Sequence, residues 1–377
     1  MTDAQINDAA ATPAARSVHV LQPAIPTYRY DFFDRLAEAY AGRFFVHASQ
    51  QDLGALTENG IERAWVRQLG PIGRLLPGVT WQAGAVGLPL KRHDVLILSG
   101  APRTLSNIVL MLRARMMGVH VIWWGHYLSP GSPFWRRTLR IALMRLAHGA
   151  LFYTDDEITA YRQSPAGRRD RRAIHALNNG LNTDPINAHR LAYGAADRPK
   201  DLLFIGRLTE KSGIKLAIEA LANPSLSDVR LQVIGSGELE ASAREQAESL
   251  GLGDRIIWNG ALVDEAQIAA IANQCRAFVY PGAVGLSLIH AMAYGLPSIL
   301  HGNTLGHMPE IAAFKDGVTG RAFDPGDPAS LASVTGDLIN DAAQLDLFAT
   351  SALSIIERSH NSADMVARFK DAVSAFP

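Results

Sequence analysis

The chain has one cysteine, Cys275, among 377 residues. That excludes an intrachain disulfide and any cysteine-clustered zinc site, and it fits a reducing compartment. No apolar run reaches the ~20 residues needed to cross a bilayer. Glycine and proline interrupt the best candidates, 75–90 and 116–135. Residues 1–16 are alanine-rich and polar, carry Asp3 and Asp8, and lack an apolar centre, so they read as a disordered leader rather than a secretory signal. There is no net charge, Lys+Arg and Asp+Glu being 36 each, so no global field argues for nucleic acid. Beyond the leader there is no low-complexity segment and no short repeat. The expectation is a cytoplasmic protein, soluble or peripheral at the inner membrane.

What is present is a globular composition, 48% apolar and 19% charged, on a chain long enough for two α/β domains. The charge is uneven along it. No acidic residue lies between Asp94 and Asp155, a stretch that holds Arg103, Arg113, Arg115, Arg136, Arg137, Arg140 and Arg145. Short β-rich runs alternate with amphipathic stretches throughout, the pattern of parallel sheets covered by helices. Strands are expected at 18–22, 44–48, 94–99, 120–124 and 150–153, with a helix over 31–40 burying Phe33, Leu36, Ala37 and Tyr40. Thr154 and Glu157 read as a capping box. A second series places strands at 201–205, 230–234, 255–258, 277–280 and 298–300, with helices near 213–222, 238–250, 265–274 and 285–295. A hinge is expected near 178–183 and the polar segment up to Lys200. Three helices close the chain, near 328–340, 343–357 and 362–375.

Three loops of the second series each sit between a strand and a helix, at the carboxyl ends of parallel strands, where open α/β sheets bind ligands. The first, Gly206 to Gly213, holds Arg207 and Lys211 close enough to converge on one phosphate. Gly235-Ser236-Gly237 is the second, and it lacks the third glycine of the dinucleotide fingerprint, which argues against a Rossmann oxidoreductase. The third carries Gly282, Val284 and Gly285 and opens onto a helix whose first amides and dipole suit an anion. Taken singly, such loops also read as packing turns with solvated cations. His307-Met308-Pro309-Glu310-Ile311 and Asp316–Gly320 follow them.

This order resembles the nucleotide-binding half of retaining family 4 glycosyltransferases of the GT-B fold. It has their Gly-Arg-Leu turn, Gly-x-Gly turn, glycine loop ending Ala-Met-Ala-x-Gly-x-Pro, Pro-Glu-Ile step and Gly-x-x-Gly. The match is strong over 200–340 and looser before it. There Pro26–Tyr30, Ala147–Thr154 and Asn179–Thr183 are similar to the acceptor-side loop, the closing strand and the interdomain turn. The resemblance implies two Rossmann-like parallel-sheet domains facing each other across a cleft. Residues 17–182 would bind the acceptor and 183–360 the nucleotide sugar, with 361–377 returning toward the first domain. It also implies that Arg207 and Lys211 neutralise the leaving diphosphate, helped by amides at Gly285 and Leu286, in turns shaped by Gly206, Gly235 and Gly237. Glu310 would lie near the ribose or donor sugar and Asn259-Gly260 near the base. His126 would lie near the transfer centre, although a histidine among Trp123, Trp124 and Tyr127 is also read as simply packed. Tyr28 and Arg29 would face the acceptor.

The family's Glu-seven-Glu pair is absent, Gly282 and His290 standing in its place. His290 can still accept one hydrogen bond, while Gly282 offers only backbone. Many members carry a lysine immediately before the glycine of the first loop; here that position is Ser212, with Lys211 one residue earlier. The expected activity is metal-independent and retaining transfer from a nucleoside-diphosphate sugar, with no cofactor. The acceptor would be a glycan or a lipid-diphosphate-linked one in surface or exopolysaccharide biosynthesis. No Asp-x-Asp motif is evident, Asp155-Asp156 being explained by the helix cap. A helix starting at Ser132-Pro133 would align Trp135, Leu139, Ala142 and Leu146, with Arg136, Arg137 and Arg140 beside them, either as a face for anionic lipid or packed on the sheet. A nucleotide-sugar 2-epimerase and a non-catalytic sugar-nucleotide-binding subunit are the alternatives.

Overall fold

The structure, a computed structural model, describes residues 16–49, 62–127 and 134–376. The expected leader lies outside these residues except for Arg16, which is not loose. Its guanidinium donates to the carbonyls of Val373 and Phe376. Ser132 and Pro133, the expected helix start, also lie outside the described residues.

In chain order the first elements are β1 (Val18–Leu21), α1 (Tyr30–Ala39), β2 (Phe44–Ser49), β3 (Val66–Leu69), β4 (Ile72–Leu76), β5 (Val79–Gln82), β6 (Val95–Ser99), α2 (Leu105–Met116), β7 (His120–Trp124), α3 (Phe134–Met144), β8 (Gly149–Phe152), α4 (Asp155–Gln163) and β9 (Ala173–Ala176). Then come α5 (Asp184–His189), β10 (Asp201–Ile205), α6 (Ile214–Leu221), β11 (Arg230–Ile234), α7 (Glu240–Ser249), β12 (Ile256–Trp258), α8 (Glu265–Ala272), β13 (Ala277–Tyr280), α9 (Leu286–Ala293), β14 (Ser298–His301), β15 (Gly320–Phe323), α10 (Pro328–Ile339), α11 (Ala342–Arg358) and α12 (Ser362–Ser374). Two compact units emerge. One runs to Gly125 and takes in Thr138–Ala150 and the chain from Val373; the other is built on Leu151–Ala372 and includes His126 and Tyr127.

One sheet has the order β3-β2-β1-β6-β7-β8-β9, with parallel pairing from β3 through β7. Its central strands are almost continuously apolar, as strands covered on both faces must be. Val18, Val20, Leu21 and Val95–Leu98 are all buried. The other sheet, β12-β11-β10-β13-β14-β15, is parallel throughout. Its core runs through Leu203, Phe204, Val233, Phe278 and Ile299. Aspartates set where its outer helices begin: Asp264, Asp327 and Asp341 each accept from amides of the first turn of α8, α10 and α11.

Several local features refine the expected elements. β4 and β5 form an antiparallel hairpin whose Leu75 and Leu76 stand exposed. The Thr154 hydroxyl does cap α4 by accepting from Glu157 N, but the Glu157 carboxylate passes its own cap and accepts instead from Tyr153 N and Tyr127 N. On α3, Trp135 (60% exposed) and Leu139 (45%) point to solvent, as does Leu146 (41%) just beyond it, so this stripe is not packed on the sheet. On α2, Leu105, Val109, Leu112 and Met116 form a second exposed stripe at helical spacing. Arg115 links the two elements by donating to the Leu146 carbonyl at 2.6 Å. The segment expected to act as a hinge is packed, with Leu177, Asn178 and Asn179 buried and Leu181 paired with Asn361.

Candidate functional site: three glycine loops at the start of α9

The loops after β10, β11 and β13 meet backbone against backbone. Gly206 N donates to Ile234 O (2.9 Å), and Leu208 N to Ser236 O (3.0 Å). Gly282 N and Ala283 N donate to Ser212 O and Lys211 O at 3.1 and 2.8 Å. Glycine is what allows this approach. A Cβ on Gly282 would lie 2.1 Å from Lys211 O, and one on Gly235 would lie 1.9 Å from Gly206 O. With the loops this close, no side chain fits at 282 without displacing them. Gly237 is pressed against Leu208 O in the same way.

The cluster surrounds the amino end of α9. Gly285, its N-cap, has no side chain to cap with, so the first-turn amides have no side-chain partner. A Cβ on Gly206 would be 3.3 Å from Ser287 Oγ, which puts the first loop against that turn. Arg207 and Lys211 are exposed, and among the described residues neither side chain has a hydrogen-bond or ion-pair partner. Burial raises the Tyr280 phenol and the Arg207 charge lowers it, the first effect being the larger. That coupling places Arg207 within electrostatic reach of the strand end that feeds the third loop.

Val284 is buried and fixed from both sides: its carbonyl accepts from Met308 N (2.9 Å), and its amide donates to His307 Nδ1 (3.2 Å). His307 Nε2 in turn donates to His301 O, so the network assigns this ring as neutral and Nε2-protonated. Leu286 is partly buried against the core. Glu310 is 4% exposed. Its Oε1 accepts from Asn179 Nδ2 (2.9 Å), while Oε2 has no partner among the described residues and faces Gly285, 3.7 Å from where a Cβ would stand.

Other expected residues are placed differently. His290 Nε2 donates to Glu265 Oε1 (2.8 Å), to which the Tyr294 hydroxyl also donates. Burial raises Glu265, but the bonds from His290 and Tyr294 outweigh it and hold the carboxyl below its usual range. Only Nδ1 of His290 is left to accept. The Asn259 amide is spent on Gln232 Oε1 and Ile257 O, while the neighbouring Gly260 carbonyl accepts from Gly235 N. His126 does not merely pack: its Nδ1 lies 3.3 Å from Glu157 Oε1 and its ring 4.3 Å from that of Tyr153. In the first unit Arg29 is buried with its guanidinium 5.1 Å from the Trp124 ring and 5.6 Å from that of Tyr28. Glu157, Asn179, Glu265 and His307 were not read as site residues from the sequence, since each acts through a partner distant in the chain. Among the described residues no group of His, Cys, Asp and Glu is arranged to hold a metal, and no helix is long and apolar enough to cross a membrane.

Residues 186–352, somewhat under half of the chain, match the family described as Glycosyl transferases group 1. N-acetyl-alpha-D-glucosaminyl L-malate synthase of Bacillus anthracis is 25% identical over 150 residues, 40% of this chain and 38% of that protein. An uncharacterised glycosyltransferase of Methanocaldococcus jannaschii is 27% identical over 184 residues, 45% of each chain. The chain thus spans less than half the length of these curated relatives. Among solved structures, Anabaena HepE in complex with UDP is similar at a TM-score of 0.69 and 18% identity, over 96% of this chain and 100% of that one. Its complex with UDP-glucose gives 0.65 and 19% over the same shares. This likeness is one of fold, and with the two parallel sheets it identifies the GT-B architecture of two Rossmann-like domains.

Proposed function

We propose that the chain is a metal-independent, retaining glycosyltransferase that moves a sugar from a nucleoside diphosphate to a glycan or lipid-linked acceptor in surface or exopolysaccharide biosynthesis. The observation that carries this reading is the meeting of three glycine loops at the uncapped start of α9, next to two cations without a carboxylate partner among the described residues. Such a turn is suited to a diphosphate. The HepE complexes with UDP and UDP-glucose support a uridine diphosphate sugar as donor. In this reading 183–360 bind the donor and 17–182 the acceptor, with 361–377 belonging to the first half; the group 1 match over 186–352 supports the donor assignment.

Transfer breaks the bond between the anomeric carbon and the diphosphate oxygen and forms one to the acceptor oxygen. The acceptor proton passes to the leaving phosphate. Negative charge grows on that phosphate in the transition state, and Arg207, Lys211 and the amides of Gly285, Leu286 and Ser287 stabilise it without reorganising. Glu310 Oε2 is a buried acceptor awaiting a hydroxyl of the ribose or sugar; an unsatisfied buried group of this kind costs about 1–3 kcal/mol. Gly206, Gly235, Gly237 and Gly282 shape the pocket by closeness of backbone. His290 Nδ1 would receive a ribose hydroxyl, and Gly260 would approach the base through its backbone because the Asn259 amide is already engaged. His126, with Nδ1–H held by Glu157, presents Nε2 as an acceptor near the sugar. Arg29, beside Tyr28, would meet an anionic acceptor group.

The exposed stripes of α2 and α3 are assigned to an anionic lipid surface. Trp135, Leu139, Leu112 and Met116 supply apolar contact, and the arginines of an acid-free stretch supply charge. Co-sedimentation with vesicles tests this: Leu139→Glu with Met116→Glu should release the protein from anionic vesicles, and equal binding to neutral vesicles would remove the membrane role. For the activity, a thermal-shift screen of nucleoside diphosphates should single out one base. Incubation of the matching nucleotide sugar with acceptor should then release the diphosphate. An epimer formed without acceptor would instead indicate the epimerase, and binding with neither transfer nor hydrolysis a non-catalytic subunit.

A further inference from the structure

A cavity of about 450 Å³ opens in the first unit on residues the transfer reaction does not use, among them His19, His47, Arg67, Lys91 and Asp94. It lies along β1, β2 and β3, lined by residues of all three strands. The pairings His19↔Phe45 and His47↔Arg67 put these side chains on one face of the sheet. The opposite face, which carries Phe44, packs against Phe33 of α1.

Two histidines stand here where buried parallel strands ordinarily carry Val, Ile or Leu. His19 is 4% exposed and His47 is 2% exposed. His19 Nδ1 lies 2.9 Å from His47 Nε2, and His19 Nε2 lies 3.4 Å from Asp94 Oδ2. Asp94 is fixed by amides, Ser17 N on Oδ1 and Lys91 N on Oδ2. Two neutral rings facing across one hydrogen bond share one proton between those nitrogens. With Asp94 drawing the Nε2 proton of His19, His19 Nδ1 accepts from His47 Nε2–H, and His47 Nδ1 is left as a lone pair with no hydrogen-bond partner among the described residues. Burial is the largest effect lowering both rings, so neither carries charge near neutrality.

Positive charge stands at the same cavity. Arg67 lies over Phe45 at 4.6 Å and donates through one terminal nitrogen to Ala64 O and Val66 O. Its other nitrogens and the Lys91 amine have no partner among the described residues.

We propose that this cavity binds a small anion that also carries hydroxyl groups, a polyhydroxylated phosphate or carboxylate. A hydroxyl donates to His47 Nδ1, and Arg67 and Lys91 hold the anionic group. The Asp94–His19–His47 chain fixes the tautomer that makes His47 an acceptor, which selects for a ligand with a donor beside its charge.

Calorimetric titration of the full chain with glucose 6-phosphate, D-glycerate, inorganic phosphate and glucose tests this, and the first two arms separate phosphate from carboxylate. At least one hydroxylated anion should bind more tightly than phosphate or glucose. Arg67→Gln, an exposed change, should weaken it roughly tenfold or more, the scale of one charge-assisted hydrogen bond. His47→Phe should weaken the hydroxylated anion while leaving phosphate unchanged. Unaltered affinity in Arg67→Gln and Lys91→Gln, or no binding of any of these anions at millimolar concentration, overturns the proposal. So does binding that Arg207→Ala removes and Arg67→Gln does not, because the anion then sits in the glycine loops. Nucleotide binding by Arg67→Gln is expected to be unchanged, so the two sites fail independently.

Discussion

The glycine loops around α9 and the histidine cavity of the first unit are both proposed to meet anions, by different means. In the loops the proposed recognition starts from backbone: Gly282 and Gly235 let strand ends close to within a carbonyl's width, and the amides of an uncapped helix would bind together with Arg207 and Lys211. In the cavity it rests on side chains, with His47 aimed by His19 and Asp94. A site built on close backbone tolerates changes of side chain but tolerates no added Cβ. A side-chain site has the reverse sensitivities.

The largest effect expected from breaking this contrast is at Gly282. Gly282→Ala puts a methyl 2.1 Å from Lys211 O and must push the first and third loops apart. Nucleotide affinity should fall about a hundredfold, together with a stability loss of about 2 kcal/mol. Gly73→Ala, where nothing lies within 4 Å of the added Cβ, should leave melting and binding unchanged. Equal tolerance at both positions would show that the loops are not held by close approach.

A smaller effect belongs to the His126–Glu157 pair, which sits in the second unit yet works by side chains. His126→Ala should lower turnover roughly tenfold or more, the scale of one lost hydrogen bond to the sugar, with nucleotide affinity retained. Glu157→Gln keeps the shape but replaces the carboxylate that holds Nδ1, so it should cost less, and the loss should appear in kcat rather than in nucleotide affinity. A structural role alone would lower melting temperature without a selective loss of kcat.

The smallest effect is on pH stability. Burial, with His307 beside it, lowers His301 to about 4, and burial, His19 and Arg67 lower His47 to about 3. The unfolded chain takes up protons at both rings as the pH falls below their ordinary 6.5 while the folded chain does not. Stability therefore rises with pH through this window and is lost as the pH drops from about 6.5 toward 4. Melting curves across that range should show a shallower slope for His301→Gln than for the natural sequence; identical slopes would contradict the burial argument.

The same contrast explains what could be read from sequence. β10, β11 and β13 sit at their expected bounds because each is a mostly apolar run of four or five residues stopped by glycine or proline: Gly206, Gly235 and Pro281. The three loops were visible for the same reason, since close approach writes glycine into the chain. The β4–β5 hairpin was missed because Leu75 and Leu76 are exposed and give no alternation. β9, with no fully buried run, gave no signal either. Asn179 reaches Glu310 across 131 residues and Glu265 reaches His290 across 25, separations that no local motif encodes. The apolar stripe on α3 was seen, but periodicity alone does not tell which way it faces.

Calorimetric titration of a nucleoside diphosphate into the natural protein and into Arg207→Ala with Lys211→Ala tests the central claim most directly. Both side chains are exposed and make no hydrogen bond or ion pair among the described residues, so folding should be untouched. The account predicts binding by the natural chain, roughly a hundredfold weaker in the double variant, with unchanged melting temperature in the absence of nucleotide. Equal affinity in the two proteins, or no affinity in the natural chain for any nucleoside diphosphate, would contradict it.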